Sequence, residues 1–560
     1  MEAFFNKTKN PIQEENQTIK YFTVGLIALA YIFGSFVPLF ETDPAHHANI
    51  ALRMYLTGDF WSLYDIGKPY MDKPHLLFWT AAISFKLFGV NTLAYKLPTL
   101  LTSILGTYAT YKLGSELYNK KVGETAALLL ASSFAFTLAN SDVRMDGMLA
   151  SFMIFAFWQM VMFQASKSWK SLILTALGLA LAFMTKGMIG PAVPTIIFFF
   201  YILEKKDWKI LASYKLWLII PAFFIFISPS LYGYYTQFDL HPELEIRGTT
   251  GNSGVYFILW GQNFERFGGG EFGSDGGQDP FFFLHTSLWS LIPWSILFFT
   301  AFIYVIKRVA SREKGLIWSI WAGITLLITI YSMSSFKLPH YIITLIPFMA
   351  LMTADFLDSI KLSNVWKRVN LGLILLVAVL VLILNIYFFP MSILFGILVT
   401  VIAGLSIWLI KNVSNQEQHF LFSLVILGAF INILLQGNFY PKVLQYQAGD
   451  NLAKTAKEAK IPNENVYFYG VHSFAFDYYT AYLHKHIDED ELEQKLNEHK
   501  VLYLYTMDPT IDQLLQSDKW SSEIIAQSVN FHVSRLKGEF INPKTRENAI
   551  DNRYLVKISE

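Results

Sequence analysis

Apolar runs of about twenty residues recur along the chain, separated by short charged turns, and this spacing limits the fold more than any other feature. A hydrocarbon core about 30 Å thick is crossed by about 20 helical residues, and inside it only helices or closed barrels satisfy their own backbone. Runs of spanning or near-spanning length lie at about 21–39, 94–111, 123–140, 147–165, 171–186, 188–203, 215–233, 281–304, 315–333, 341–354, 369–389, 391–410 and 419–436. They predict a mainly α, polytopic membrane protein with about 13 transmembrane helices. The overall balance agrees, since 53% of the 560 residues are hydrophobic and only 16% are charged. A net charge of +1 without a clustered basic face gives no reason to expect a nucleic-acid partner. With no cysteine there is no disulfide, thiolate metal site or cysteine nucleophile.

Residues 1–20 are polar, and the run that follows is too long for a cleavable signal and lacks its small-residue exit, so a retained first helix is expected. Basic residues then cluster in alternate turns: Lys112, Lys120 and Lys121; Lys167 and Lys170; Lys205, Lys206 and Lys209; Lys307, Arg308, Arg312 and Lys314; Lys361, Lys367 and Arg368. All fall on the side of the amino terminus, which the positive-inside rule makes the cytoplasm. An odd number of crossings places everything after about residue 437 outside. The two shortest runs, 171–186 and 341–354, are kept as crossings because losing one sets the later basic clusters against their sides. The expected organisation is a cytoplasmic segment 1–20, a membrane domain 21–447 and a small outer α/β domain 448–560. In the last, charged helical stretches such as 484–500 alternate with β-rich runs 465–469 and 501–505. This tail shows no metal or nucleophile motif and reads as a docking or acceptor-positioning lid.

Two outer loops, about 40–93 and about 234–280, exceed what a helix connection needs, and long loops on a rigid scaffold are where chemistry tends to sit. The glycine-rich stretch 268–277 lacks the Gly-Lys-Ser/Thr ending of a P-loop and is expected as a flexible lid. Ionisable residues at the edges of apolar segments need solvent, a partner or a function. Asp43, Asp72, Lys73, Asp142, Arg144, Asp146, Lys186, Glu265, Arg266, Lys337 and His340 all fall on the outer side, where they can converge on one cavity.

Asp43 follows the first crossing directly, in Glu41-Thr42-Asp43-Pro44-Ala45-His46-His47, ahead of an amphipathic segment. A carboxylate there suits orienting or deprotonating an acceptor, or holding a cation, and equally suits a helix N-terminus. Asp43, His46 and His47 fall at i, i+3 and i+4, the spacing of a metal site, but adjacent histidines point apart, so they remain minor candidates for a divalent metal. In Tyr70-Met71-Asp72-Lys73-Pro74 the proline fixes the backbone and holds an acid beside a base. Lys73 suits a phosphate, or else reaches for lipid headgroups. Lys186, in Thr185-Lys186-Gly187, stands alone between two apolar runs. Lys337, in Lys337-Leu338-Pro339-His340-Tyr341, sits where a proline breaks the segment. Asp146 begins the fourth crossing and has Arg144, Lys73 or Lys186 as possible partners.

The ordered set formed by the Asp43 motif, Gly58-Asp59-Phe60, Tyr70 to Trp79, Lys96-Leu97-Pro98, Arg144-x-Asp146, Thr185 to Gly187 and Lys337 to Tyr341 resembles the GT-C membrane glycosyltransferases. The resemblance is to the lipid A aminoarabinose transferase and protein O-mannosyltransferase-like group, and it covers roughly residues 20–355. It implies a GT-C-type bundle in a bacterial inner membrane, with its C-terminal domain in the periplasm. It further implies that Asp43, Asp72 and Lys73 are catalytic, and that Asp146, Lys186, Arg266, Lys337, His340 and Tyr341 hold the carrier phosphate and sugar. The aminoarabinose transferases carry Asp-Glu followed by Arg-Tyr at the first motif, where this chain has Asp43-Pro44-Ala45-His46-His47. Near Arg266-Phe267 they place a histidine where this chain has Asn263.

The function expected is an inverting glycosyltransferase that moves a hexosyl or pentosyl group from a polyprenyl-phosphate (undecaprenyl-type) donor to lipid A, another glycolipid or glycan, or a protein. No organic cofactor motif is present, and a divalent metal is left open. A transporter or flippase of lipid-linked sugars is the alternative. It usually carries internal repeats and midplane breaks, and neither is seen here. An envelope scaffold protein would need no outward cluster of charges.

Overall fold

The computed structural model describes residues 11–41, 43–246, 248–262, 265, 279–311 and 317–560, with the backbone alone at 11–16. Arg266 and the glycine-rich stretch 268–277 lie outside these residues. Each of the expected apolar runs lies mainly on helix among the described residues. Among the described residues eight helices are long and apolar enough to cross a membrane, and a ninth is added if a pair bent by 54° counts as one span. The two shortest runs lie in Trp169–Lys186 and Pro339–Ser359, 18 and 21 residues long.

The chain opens with α1 (Pro11–Phe36), a short turn and α2 (Asp43–Thr57), then a two-residue hairpin of β1 (Tyr64–Asp65) and β2 (Lys68–Pro69). Next come α3 (Leu76–Phe88), α4 (Thr92–Leu117), the bent pair α5 (Lys120–Ser132) and α6 (Phe134–Ser141), then α7 (Met145–Ser166), α8 (Trp169–Lys186) and α9 (Ile189–Lys205). Local sequence starts these helices: Asn91, Asn119 and Ser168 each accept a hydrogen bond from a first-turn amide of α4, α5 and α8. α7 is apolar around most of its circumference and lies at the centre of the bundle against α4, α8 and α9. Small residues let the backbones approach: a Cβ on Gly106 of α4 would stand 2.8 Å from the Ser151 Cα of α7, and one on Gly178 of α8 would stand 3.0 Å from the Ala156 Cα. The helices Asn364–Phe388 and Ile393–Lys411 have the highest mean hydropathy, 2.9 and 2.6, and are the least buried, as expected of lipid-facing spans.

Charge separates by end. Asp43, Asp146, Lys186 and His340 stand at the start of α2, the start of α7, the end of α8 and the start of Pro339–Ser359. The opposite ends carry other pairs: Lys20 with Glu124, Lys121 with Asp358, Arg308 with Asp355, and Lys367 with Glu417.

Beyond residue 447 the helix Ala448–Glu458 leads into a five-stranded sheet of order β4-β3-β5-β7-β6. Its strands are β3 (Val466–Phe468), β4 (Lys485–His486), β5 (Val501–Met507), β6 (Ser521–Asn530) and β7 (Asp551–Ser559). β3 is parallel to β4 and β5, with Tyr467 opposite Leu504, and β7 runs antiparallel between β5 and β6, with Leu504 opposite Val556. This region sits on the segment that joins α1 to α2 and on α2 itself. Gln447 donates to the Leu39 carbonyl at 2.8 Å and accepts from the Glu41 amide at 2.7 Å. The Leu39 amide donates to the Tyr479 hydroxyl at 2.9 Å, and Asn49 donates to the Phe474 carbonyl at 3.0 Å.

Candidate active site

A cavity of about 240 Å³ opens where the start of α7, the end of α8 and the Pro339 segment meet the start of α2 and the 70–73 loop. Asp43, Asp72, Lys73, Asp146, Lys186, His340 and Tyr341 all line it, as do His46, His47 and Arg144. Three cations, each paired with a carboxylate, organise it. Arg144 bonds Asp43 across 101 residues of sequence and also bonds Asp142. Lys73 bonds its neighbour Asp72. Lys186 lies 2.8 Å from Asp146, with the side chains only 8% and 3% exposed. The Lys186 ammonium also rests over the Tyr341 ring at 4.5 Å, a cation–π contact, and His340 approaches Asp146 at 3.7 Å.

Local sequence places each group. Pro44 at the start of α2 leaves Asp43 in the first turn, where a carboxylate complements the helix dipole. Its side chain is half-exposed, and burial raises its pKa, but Arg144, His47, His340 and Lys73 together outweigh that and hold the carboxyl below the usual range. Burial, with His46 beside it, holds the His47 imidazole well below its ordinary value. Gly187 ends α8 directly after Lys186 with φ +76°, ψ −157°, a backbone state open to glycine almost alone. A Cβ there would also stand 2.8 Å from Gln262 Oε1. Gln262 in turn donates to the Asp72 backbone carbonyl, and Tyr234 donates to the Met71 carbonyl at 3.1 Å, so the segment carrying Asp72 and Lys73 is held from behind.

Not every expected residue converges. Phe336 and Leu338 line the cavity, whereas Lys337 between them is buried and donates to the Asp279 carbonyl at 3.2 Å. Lys96 of the Lys-Leu-Pro motif is fully buried and donates to the Gly34 and Val37 carbonyls at 2.9 and 2.5 Å, capping α1. His46 and His47 do not point apart but stack, with ring centroids 5.2 Å apart, because His46 turns to Asp65, whose Oδ2 is 2.9 Å from Nε2. Asp43 faces Arg144 instead, and among the described residues no group of three or more His, Cys, Asp or Glu side chains is placed to hold a metal ion. Asp142 and Gln262 entered no expected role: the first was visible in the Asp-x-Arg-x-Asp spacing, whereas a single glutamine carries no pattern.

A second cavity, about 230 Å³, adjoins the first. Leu149, Ile189, Ile330 and Phe336 make it mainly apolar, and it shares Asp146, Lys186 and Tyr341 with its polar neighbour. The Lys186–Asp146 pair therefore stands between a charged chamber and an apolar one.

A polar chamber at one end of a helical bundle, with an α/β tail docked beside it, is the arrangement of the GT-C fold. Comparison with solved structures shows the same fold: the crystal structure of ArnT from Cupriavidus metallidurans bound to undecaprenyl phosphate superposes with a TM-score of 0.73 at 17% identity, covering 96% of this chain and 97% of that one. A family model described as dolichyl-phosphate-mannose-protein mannosyltransferase matches residues 72–232. A relative from Pseudomonas aeruginosa, named undecaprenyl phosphate-alpha-4-amino-4-deoxy-L-arabinose arabinosyl transferase, is 25% identical over 373 residues, 63% of this chain and 64% of the relative. An uncharacterized protein of Aquifex aeolicus is 28% identical over 347 residues, 61% of this chain and 63% of that protein. The chain thus covers slightly less than two thirds of these relatives' length. The likeness read from the ordered motifs is borne out.

Proposed function

We propose that the chain transfers a sugar from a polyprenyl-phosphate carrier of undecaprenyl type to an envelope acceptor, on the outer face of a bacterial inner membrane. The observation that carries this reading is the junction at Lys186 and Asp146 of a charged chamber with an apolar one. A lipid-linked sugar phosphate has the same two halves. The names of the Pseudomonas relative and the Cupriavidus ligand point the same way. The acceptor is lipid A, another glycolipid or glycan, or a protein.

In an inverting transfer the acceptor oxygen attacks the anomeric carbon while the bond from that carbon to the phosphate oxygen breaks and its electron pair leaves with the phosphate. Negative charge grows on the carrier phosphate, where Lys186, Lys73 and Arg144 can meet it. Each cation is already paired with a carboxylate, so phosphate binding exchanges one anionic partner for another at little desolvation cost. Asp43, ionised and half-exposed, is suited to accept a proton from a hydroxyl acceptor, or to orient a phosphate acceptor that needs no base. Asp43→Asn and Lys186→Ala are each expected to lower transfer by about 10²-fold or more. The assay is transfer from an undecaprenyl-phosphate sugar by purified protein, with gel filtration reporting the folded yield. Full activity in both variants would overturn the assignment. Mass spectrometry of envelope glycolipids and glycoproteins from cells with and without the chain identifies the acceptor.

A further inference from the structure

The C-terminal sheet has a ligand crevice of its own. The chain leaving β3 turns to β4 on one side, and the chain leaving β5 turns to β6 on the other, so β3 and β5 flank a topological switch point. In open α/β sheets such points form ligand crevices at the carboxyl ends of the strands. A cavity of about 140 Å³ lies there, walled by the 471–473 loop after β3, Tyr505 near the end of β5, the 530–534 loop after β6, and Arg553 opposite Met507. Arg553, His472, His532, Ser473 and Ser534 are among its polar lining residues, with Glu41 at one side. One wall is closed by a carboxyl from the turn between α1 and α2: Glu41 accepts from the Ser473 hydroxyl at 3.1 Å and the Ala475 amide at 3.3 Å. Arg553 is 13% exposed and held by Asp551 and the Asn552 carbonyl, and the exposed His532 and Ser534 bond each other at 3.1 Å.

We propose that this cavity binds a phosphate monoester or inorganic phosphate on Arg553, His532 and Ser534. The space, several times the roughly 30 Å³ share of one water, takes an oxyanion with part of its hydration. Glu41 does not repel it near neutral pH, because burial pushes its carboxyl up to about 8. Glu41 stands two residues before Asp43, so occupancy bears on the loop that enters the candidate active site.

The test uses the full chain in phosphatidylcholine nanodiscs, in a Lys73→Ala/Lys186→Met/Asp146→Leu background that removes two of the three cations facing phosphate in the other chamber without stranding a buried charge, so that failure here leaves the glycosyltransferase reading untouched. Inorganic phosphate is titrated by calorimetry, and in a second arm phosphatidic acid, a lipid phosphomonoester, is added to the nanodisc. Saturable phosphate binding is expected, weakened at least tenfold by Arg553→Gln and by His532→Ala/Ser534→Ala. If the headgroup is the physiological source, phosphatidic acid raises Tm in the background chain but not in these variants, and free phosphate then adds nothing. Should Arg553→Gln fail to fold, the surface double variant carries the test. No phosphate binding, or binding that neither substitution changes, overturns the proposal.

Discussion

Among single residues the Lys186–Asp146 pair carries the highest stakes, because both side chains are almost wholly buried. Breaking a buried pair from one side leaves an uncompensated charge, costing about 3–5 kcal/mol, whereas replacing both partners by apolar groups is often neutral. Asp146→Asn is therefore expected to lower Tm clearly, and Lys186→Met/Asp146→Leu to recover most of that loss while transfer stays abolished. Thermal unfolding beside the transfer assay checks this. Recovery of transfer in the double variant would remove both residues from the chemistry. Gly187→Ala makes a sharper positional claim. Its backbone state costs a non-glycine residue about 1–3 kcal/mol, and its Cβ presses on Gln262, the residue that holds the Asp72 carbonyl. Its kcat should fall by more than its KM changes. The Thr-Lys-Gly run announced this turn in the sequence, but the glutamine behind it did not, since a lone amide has no spacing to read.

At the level of elements, the turn 37–41 between α1 and α2 is pinned from two sides, by Lys96 beneath it and by Gln447, Tyr479 and Ser473 from the C-terminal region. Lys96→Met keeps the length of the side chain but leaves the buried Val37 carbonyl without its donor, at about 1–3 kcal/mol, and takes one of two donors from the Gly34 carbonyl. The expected result is a lower Tm together with reduced transfer. The lysine was legible as a motif residue, yet its duty was not, because a capping role depends on which helix end comes within its reach. Glu41 gives the turn a pH signature. Burial outweighs its bonds to Ala475 and Ser473 and raises the carboxyl from 4.5 to about 8. Between those values the folded chain holds a proton that the unfolded chain has lost, so this contribution to stability is complete below about pH 4.5 and declines as the pH rises to about 8. Asp450, raised by burial to about 7, acts with the same sign, so the informative quantity is a difference. The decline of Tm from pH 5 to 8 should be shallower in Glu41→Gln than in the parent, and equal slopes would show that Glu41 is not buried against the C-terminal region.

The whole molecule is ordered by side. Apolar runs made the helices legible, because each run must fill a span, and basic turns made their alternation legible. The pairing of helix ends was not legible: Asp43 finds Arg144 across 101 residues through packing around α7, which no local pattern encodes. The structure nevertheless sorts charge as the alternation requires. The candidate site gathers at one set of helix ends, and the pairs Lys121–Asp358, Arg308–Asp355 and Lys367–Glu417 lie at the other. The chain has no native cysteine, so single introduced cysteines report their side without background. Gly58→Cys in the first long loop and Ser517→Cys in the C-terminal region should react with a membrane-impermeant maleimide applied to the outer face of the inner membrane in spheroplasts. Lys120→Cys and Lys361→Cys should react only after permeabilisation. If Gly58 and Ser517 label from opposite sides, an odd number of crossings is wrong, and the docking of the C-terminal sheet on Leu39, Glu41 and Asn49 is wrong with it. If both label only after permeabilisation, the charged chamber opens to the cytoplasm, where a carrier-linked sugar presented on the outer leaflet cannot reach it.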